Sequence, residues 1–342
     1  MSGTAVADVE RAAAVLRLLG RVEFARAKWV RDLIFPDRSD RWARMVLAKL
    51  HANRLIWKAS APAARVPGSI GGSNKQPPPI APQVYGLTPE GRDELAALGI
   101  EGDGVAIAFM PVRPWADPDL KLAQLRHDLL VSDWCCAVLH GARQHPRLHS
   151  MHCQVEYVSA TADNGQTIQR FDALVMFTIA AVPMPSMPAW AIPWADGTPT
   201  PDGAITCRFA AEIDTGSEKL AILLGKAGTY RALTLSRHYT ATLGGPVLPV
   251  VLVPSGTKRA GQIAREWQDG WPDGAGVVGS FTGAQIDQDA IRGRYLAMTS
   301  KPAREAFLLE PFGITRETWD DAIADRRRPD GDDRVRRQGA TR

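Results

Sequence analysis

The stretch that decides the fold is Pro201–Tyr230, PDGAITCRFAAEIDTGSEKLAILLGKAGTY. A Pro-Asp pair, Pro201-Asp202, opens it as a turn. Ile205 to Ile213 is rich in β-branched and apolar residues and predicts a strand. Thr215-Gly216-Ser217 breaks that run. Ser217 is a natural N-cap, and Glu218 to Leu235 predicts a helix. Alternate side chains of a strand share a face, so Glu212 and Asp214 point the same way. If the segment before Ile205 folds back beside them, Asp202 joins the pair. Three carboxylates held together repel one another unless a hard cation sits among them. Mg²⁺ or Mn²⁺ is the expected occupant, with Asp202, Glu212 and Asp214 as ligands. The plainer reading of the same residues is an amphipathic hairpin with solvated acids.

The pattern Asp202 … Glu212-x-Asp214 resembles the PD-(D/E)xK nuclease core. The resemblance covers about thirty residues, and it implies a metal that activates water against a phosphodiester. Asp214 stands where that family has its lysine. Lys219 or Lys226, on the following helix, is the candidate replacement. Two turns of helix rise ~11 Å, which favours Lys219, the residue nearer the strand end. The expected catalytic set is therefore Asp202, Glu212, Asp214, Lys219 and Lys226, with Glu156, Asp128 or Asp133 as outer acids.

Charge is unevenly spread along the 342 residues, although the net value is only +4. Residues 1–95 hold 15 Lys and Arg against 9 Asp and Glu. Residues 324–342 hold 7 Arg against 4 Asp. Two basic ends thus flank an acidic middle, and basic ends suit a polyanion such as nucleic acid. A hydrophobic content of 45% is that of a globular chain. No apolar run is long enough to cross a membrane. The N-terminus lacks the basic-then-apolar order of a secretory signal. Cys135, Cys136, Cys153 and Cys207 have no CxxC spacing, which suits a reducing cytoplasm.

The N-terminal third alternates in a recognisable order. Val9–Leu19 predicts a helix ended by Gly20, and Glu23–Phe35 a second stopped by Pro36. Asp40–Asn53 predicts a third, with Trp42, Met45, Val46 and Leu50 facing inward. Leu55–Lys58 and Gln83–Leu87 predict strands joined by a Pro/Gly-rich loop. Thr88-Pro89 starts a fourth helix, Thr as N-cap and Pro at the first helical position. This order, and the phrase Tyr85-Gly86-Leu87-Thr88-Pro89-Glu90-Gly91, resemble a winged helix, whose third helix enters the major groove. The resemblance implies duplex DNA as partner and Arg41, Arg44, Lys49, Arg54 and Lys58 as contacts, with Arg65 and Lys75 along the wing.

After a linker-like stretch, Leu120–His140 predicts a long helix. His149–Ser159 and Gln169–Ile179, the latter with Asp172, predict strands. Val247–Val253 predicts a buried strand, Lys258–Trp267 a helix and Gly276–Phe281 a last short strand. A helical crossover makes the strand pair around it parallel. His145, His149, His152 and Cys153 match no strong zinc spacing and read as surface or pairing residues. The expected fold is α+β or α/β: a winged helix-turn-helix over 1–97, a linker over 98–119, and a nuclease-like mixed sheet flanked by helices over 120–285. An extension with a basic, polar tail covers 286–342.

Taken together the chain resembles the replication-relaxation family of plasmid and integrative-element proteins. The phrases that carry this are Leu125-Arg126-His127-Asp128-Leu129-Leu130-Val131-Ser132-Asp133, Pro201-Asp202, and Glu212-Ile213-Asp214-Thr215-Gly216-Ser217-Glu218 with Lys226 and Tyr230. The resemblance implies a cytoplasmic, DNA-binding protein of a mobile element, acting in plasmid replication, DNA relaxation or transfer. Replication or transfer proteins, or a second copy of the chain, are the partners it leaves open. It also leaves open a nicking enzyme and a non-catalytic regulator whose nuclease-like domain is a binding or dimerisation platform.

Overall fold

The structure is a computed structural model. It describes residues 3–60, 83–98, 122–162, 164–182, 200–216, 219–254, 256–271, 276–279, 290–293, 295–298 and 304–327. The expected wing contacts Arg65 and Lys75, the linker from residue 99 to 119, the N-cap Ser217 and the tail beyond 327 lie outside these residues.

Helices α1 (Gly3–Val22), α2 (Ala27–Ile34) and α3 (Asp40–Ala52) come first. They pack with α4 (Pro89–Ala97) and a small antiparallel sheet of β1 (Ala25–Arg26), β2 (Ile56–Ser60) and β3 (Gln83–Leu87), ordered β1-β3-β2. Gly20 does not end α1, which runs on to Val22. A Cβ there would meet Leu95 Cδ2 at 2.7 Å, so the glycine serves close packing of α1 on α4. The second helix starts four residues later than expected, because Ala25 and Arg26 pair with β3 instead. On α3 the buried stripe is Ala43, Leu47 and Leu50, while Met45 is 58% exposed rather than inward. Met45 lies two residues from Ala43, about 200° around the helix, and so on the far side.

The junction before α4 is tightly specified. Thr88 Oγ1 caps Gly91 N at 3.0 Å, and Thr88 N donates to Leu55 O. A Cβ on Gly91 would fall 1.9 Å from Leu55 O, so only glycine fits.

The larger sheet has seven strands in the order β10-β9-β8-β7-β6-β5-β4. They are β4 (Leu148–Thr161), β5 (Thr167–Ile179), β6 (Ile205–Ile213), β7 (Leu248–Leu252), β8 (Val277–Gly279), β9 (Tyr295–Ala297) and β10 (Glu305–Ala306). β4, β5 and β6 form an antiparallel meander. β6 and β7 run parallel, as a crossover through α6 (Leu220–Leu235) and α7 (His238–Leu243) requires. β7–β8 is also parallel, across α8 (Thr257–Gly270).

Both faces of this sheet are covered. On one, Leu223, Ala227 and Tyr230 of α6 and Ile263, Ala264 and Trp267 of α8 pack on Leu174, Ala210 and Val251. On the other lie α5 (Leu122–Arg143) and α9 (Arg316–Arg327), whose Trp319 is fully buried. Residues 295–298 and 304–327, expected as part of an extension, thus continue the sheet and its core. The N-terminal helices share the α5-side core without a break. Asp133, buried on α5, accepts from Trp29 Nε1 at 2.8 Å and pairs with Arg26 at 2.6 Å. Ser132 Oγ donates to Val22 O at 2.6 Å. Asp133, named above as an outer acid, is therefore a clasp between α5 and the N-terminal helices.

Gly91→Ala is expected to destabilise the folded chain by about 3 kcal/mol through that clash, read as a lowered urea midpoint. An unchanged midpoint would mean that the Leu55–Thr88 junction is not close-packed.

Candidate functional site

The sheet is interrupted on one rung. On β4 the inward series Met151, Cys153, Val155 faces α5, yet Tyr157 packs on the α6 side. On β5 Ala173, Val175 and Phe177 face α5, yet Phe171 belongs to the α6 side. Side chains two apart should share a face, so both strands switch faces between these residues. The switch falls at Glu156 and Asp172, which lie between the pairs Val155↔Ala173 and Tyr157↔Phe171. Glu156 has φ 50°, a left-handed conformation costly for a residue with a Cβ. Such strain gathers at functional sites.

On its other side β5 parts from β6. Their ladder stops at Ala173↔Ala211, while β6 stays paired with β7 through Ile213↔Leu252. The N–H of Ile213 therefore has no main-chain acceptor on β5. Asp172 supplies it: its Oδ2 accepts from Ile213 N at 2.7 Å. The same oxygen lies 3.2 Å from His127 Nε2, and His127 Nδ1 is 3.1 Å from Asp128 Oδ1. Burial alone would lower the imidazole, but Asp128 and Asp172 outweigh it and raise it to about 10. Burial likewise opposes ionisation of Asp172, but His127 and the Ile213 N–H hold its carboxyl below the ordinary value.

Glu212 stands opposite Asp172 and is 1% exposed. Its Oε2 accepts from Lys226 Nζ at 2.9 Å, and its Oε1 from Tyr230 Oη at 2.9 Å. Burial, and then the charge of Asp172, push it up to about 7, against the pull of Lys226 and Tyr230. Burial and Glu212 in turn push the Tyr230 phenol well up. Lys226 and Tyr230 are one turn apart on α6 and so share a face. Asp214 is buried too. Its Oδ2 pairs with Arg259 Nε at 2.7 Å, and its Oδ1 accepts from Gly216 N at 2.9 Å. Glu212 and Asp214 do share the face toward α6 and α8, but each meets its own cation.

Asp202 does not join them. It sits exposed in the Pro201–Ala204 turn, where Gly203 has φ 70° and Ala204 N donates to Pro201 O. Ile205 to Glu212 alone spans roughly 23 Å of extended chain, so Asp202 is at the other end of β6. The expected three-acid ligand set is thus not brought together, and among the described residues no group of three or more His, Cys, Asp and Glu gathers to hold a metal. Asp172, from β5, occupies the position by Glu212 that was assigned to Asp202. Its signal in the sequence was a lone acid in the apolar run Phe171–Ile179.

Lys219 is also displaced as the favoured cation. It is exposed at the N-cap of α6, and Lys226 reaches Glu212 instead. A crossover helix runs back along the strand it left, so a residue two turns in returns to the strand end. Distance along the helix axis was the wrong measure.

The expected DNA contacts Arg41, Arg44, Lys49, Arg54 and Lys58 are all exposed. Arg54 has φ 62°, past the end of α3. His145 and His152, expected as surface or pairing residues, are buried, and His145 Nδ1 accepts from Arg147 N at 3.3 Å. Burial and then a nearby arginine lower each to about 4.

The chain belongs to the replication-relaxation family, whose description matches residues 16–248, more than half its length. Comparison with curated proteins and with solved structures gave no match. Family membership ties the protein to the replication or relaxation of plasmid or other mobile-element DNA. No helix among the described residues is long and apolar enough to cross a membrane.

The site has a signed pH dependence. His127 is raised above its ordinary 6.5, so its stabilisation is full below pH 6.5 and lost as pH rises through about 10. Glu212 is raised from 4.5 to about 7, so folding binds a proton and stability falls as pH rises across that interval. Between pH 4.5 and 6.5 the buried His145 and His152, lowered to about 4, act in the opposite sense and make stability rise with pH. Chemical denaturation should therefore show stability declining from about pH 7 to pH 10, and His127→Gln should flatten that decline. Glu212→Gln should make the rise below pH 6.5 steeper. Stability that rises from pH 7 to pH 10 would contradict the assigned contacts.

Proposed function

We propose that the protein binds duplex DNA through a winged helix made of α1–α4 and β1–β3, and nicks DNA at the Asp172–Glu212–Lys226 cluster. The single observation that carries the second half is the convergence, at a break in the sheet, of two carboxylates from neighbouring strands and one lysine. The nuclease resemblance expects this chemistry, moved from Asp202 and Asp214 to Asp172 and Lys226. The first half is supported by the exposed basic residues of α3 and the charge of residues 1–95.

The nuclease-like reading implies a divalent cation. Carboxylate oxygens are the donors Mg²⁺ or Mn²⁺ takes, and Asp172 and Glu212 fit, whereas Asp202 does not. When bound, such an ion supplies a water of lowered pKa and charge stabilisation at phosphorus. The chain's own residues do the rest. Lys226 holds positive charge at Glu212 and can meet a phosphate oxygen. Tyr230 orients Glu212 by donating to its Oε1. His127, protonated at neutral pH, fixes Asp172 and places a second cation beside it.

One observation favours the non-catalytic alternative, a binding or dimerisation platform. Glu212 is almost wholly buried with both oxygens already engaged. Plasmid nicking separates the two. With Mn²⁺ the parent should convert supercoiled plasmid to nicked circles. Asp172→Asn and Lys226→Ala should lower the rate at least a hundredfold with duplex affinity intact, while Asp202→Ala cuts like the parent. A parent that binds and never cuts, across both metals and single-stranded DNA, leaves the platform reading. Duplex affinity should also fall steeply with salt, and Arg44→Ala should weaken it. No duplex binding even at low salt would remove the DNA-binding half.

A further inference from the structure

The exposed face of α3 has a chemical pattern that the DNA-binding reading does not by itself require. At about 100° per residue, Arg41, Met45, Ala48 and Ala52 form one stripe opposite the buried Ala43, Leu47 and Leu50. Arg44 lies on one flank of that stripe and Lys49 on the other. Beyond Arg41 the centre of the face is therefore apolar and its edges are cationic. Met45 is 58% exposed there. A single exposed methionine means little by itself. Its setting between a cation on either flank, Arg44 and Lys49, is what carries the argument.

The N-terminal end of α3 is reinforced. Trp42 is half-buried, edge-on to Phe35 with ring centroids 4.6 Å apart. Arg11 of α1 and Arg38 of the preceding turn lie over its ring at 5.7 and 5.6 Å. Stacking on an indole face holds a guanidinium in place. Asp40, the acid in this first turn, is tied to Arg31. Arg11, Arg38, Arg41 and Arg44 thus make a positive end, and Arg11 and Arg38 were not expected from the sequence.

Cationic flanks about a helix-width apart match the two phosphate rows that border a major groove. What lies between those rows is base edges. Met45, Ala48 and Ala52 have no side-chain hydrogen bond to offer them. The one apolar feature on those edges is the methyl group at C5 of a pyrimidine. We infer that α3 reads C5-methyl groups in the major groove through Met45 and Ala48, gripped in register by the arginines around Trp42. Thymine and 5-methylcytosine both carry that group. This inference rests on the DNA-binding reading above and makes no use of the nicking site.

The test uses the full chain and four duplexes of one length at one salt concentration: alternating A·T, alternating A·U, alternating G·C, and G·C with 5-methylcytosine. Removing the thymine methyls should weaken binding about fourfold for each methyl buried, and methylating cytosine should strengthen it comparably. Gain in both arms, or in the thymine arm alone, supports the inference and names the source. Met45→Ser, a surface change, should erase the difference while leaving the salt dependence as it was. Arg38→Ala should weaken all four duplexes alike. Equal affinity for all four overturns methyl readout and leaves DNA binding standing. Discrimination that survives Met45→Ser overturns the assignment to α3. Binding to none of the four at low salt means that the DNA-binding reading itself has failed.

Discussion

A carboxylate buried at the end of a strand has to be answered from its surroundings, and Glu212 is that carboxylate. Lys226 and Tyr230 answer it from α6, which fixes how that helix lies on the sheet. The parallel β6–β7 pair depends on the same crossover. Truncating either partner would leave part of a buried charge uncompensated, a far larger penalty than the loss of a surface pair. The aromatic packing behind it is organised around the same phenol. Phe171 stacks on Tyr230 with ring centroids 5.5 Å apart, and Trp267 and Tyr239 close on it from two further elements.

The second constraint is the orphaned N–H of Ile213. A sheet strand that loses its neighbour must find another acceptor, and Asp172 is the acceptor found. That contact draws a second carboxylate to within electrostatic reach of Glu212. The resulting repulsion is balanced from opposite faces of the sheet, by Lys226 from α6 and by His127 from α5. Helix α5 then runs on to Ser132 and Asp133, which clasp the N-terminal helices. One helix therefore touches both the acid cluster and the unit that carries α3, through less than two turns between His127 and Asp133.

Much of the architecture was legible in the residues. Helix and strand order, the parallel pair across the crossover, and the Thr88 cap followed from periodicity, capping and turn chemistry, which are local. Gly86 and Gly91 in the junction phrase show the same. Trp57 lies against the first and Leu55 O against the second, and neither position has room for a side chain. The shared face of Glu212 and Asp214 likewise needed only the two-residue period of a strand.

What the sequence by itself determined was thus local: the helix and strand order through Val253, the caps and turns that join those elements, and that the N-terminal unit is basic. Tertiary structure alone decided which groups meet. Asp202 and Glu212 are ten residues apart in sequence and at opposite ends of β6, because an extended strand cannot fold back on itself. Asp172 and Glu212 are forty residues apart and lie within electrostatic reach, because each is one residue beyond the last β5–β6 pair, Ala173↔Ala211. Lys226 overtook Lys219 for the same reason, since a crossover helix returns along its strand. The left-handed Glu156 and the end of the β5–β6 ladder leave no mark in composition or period. They belong to the pairing of β4, β5 and β6, which only the tertiary structure shows.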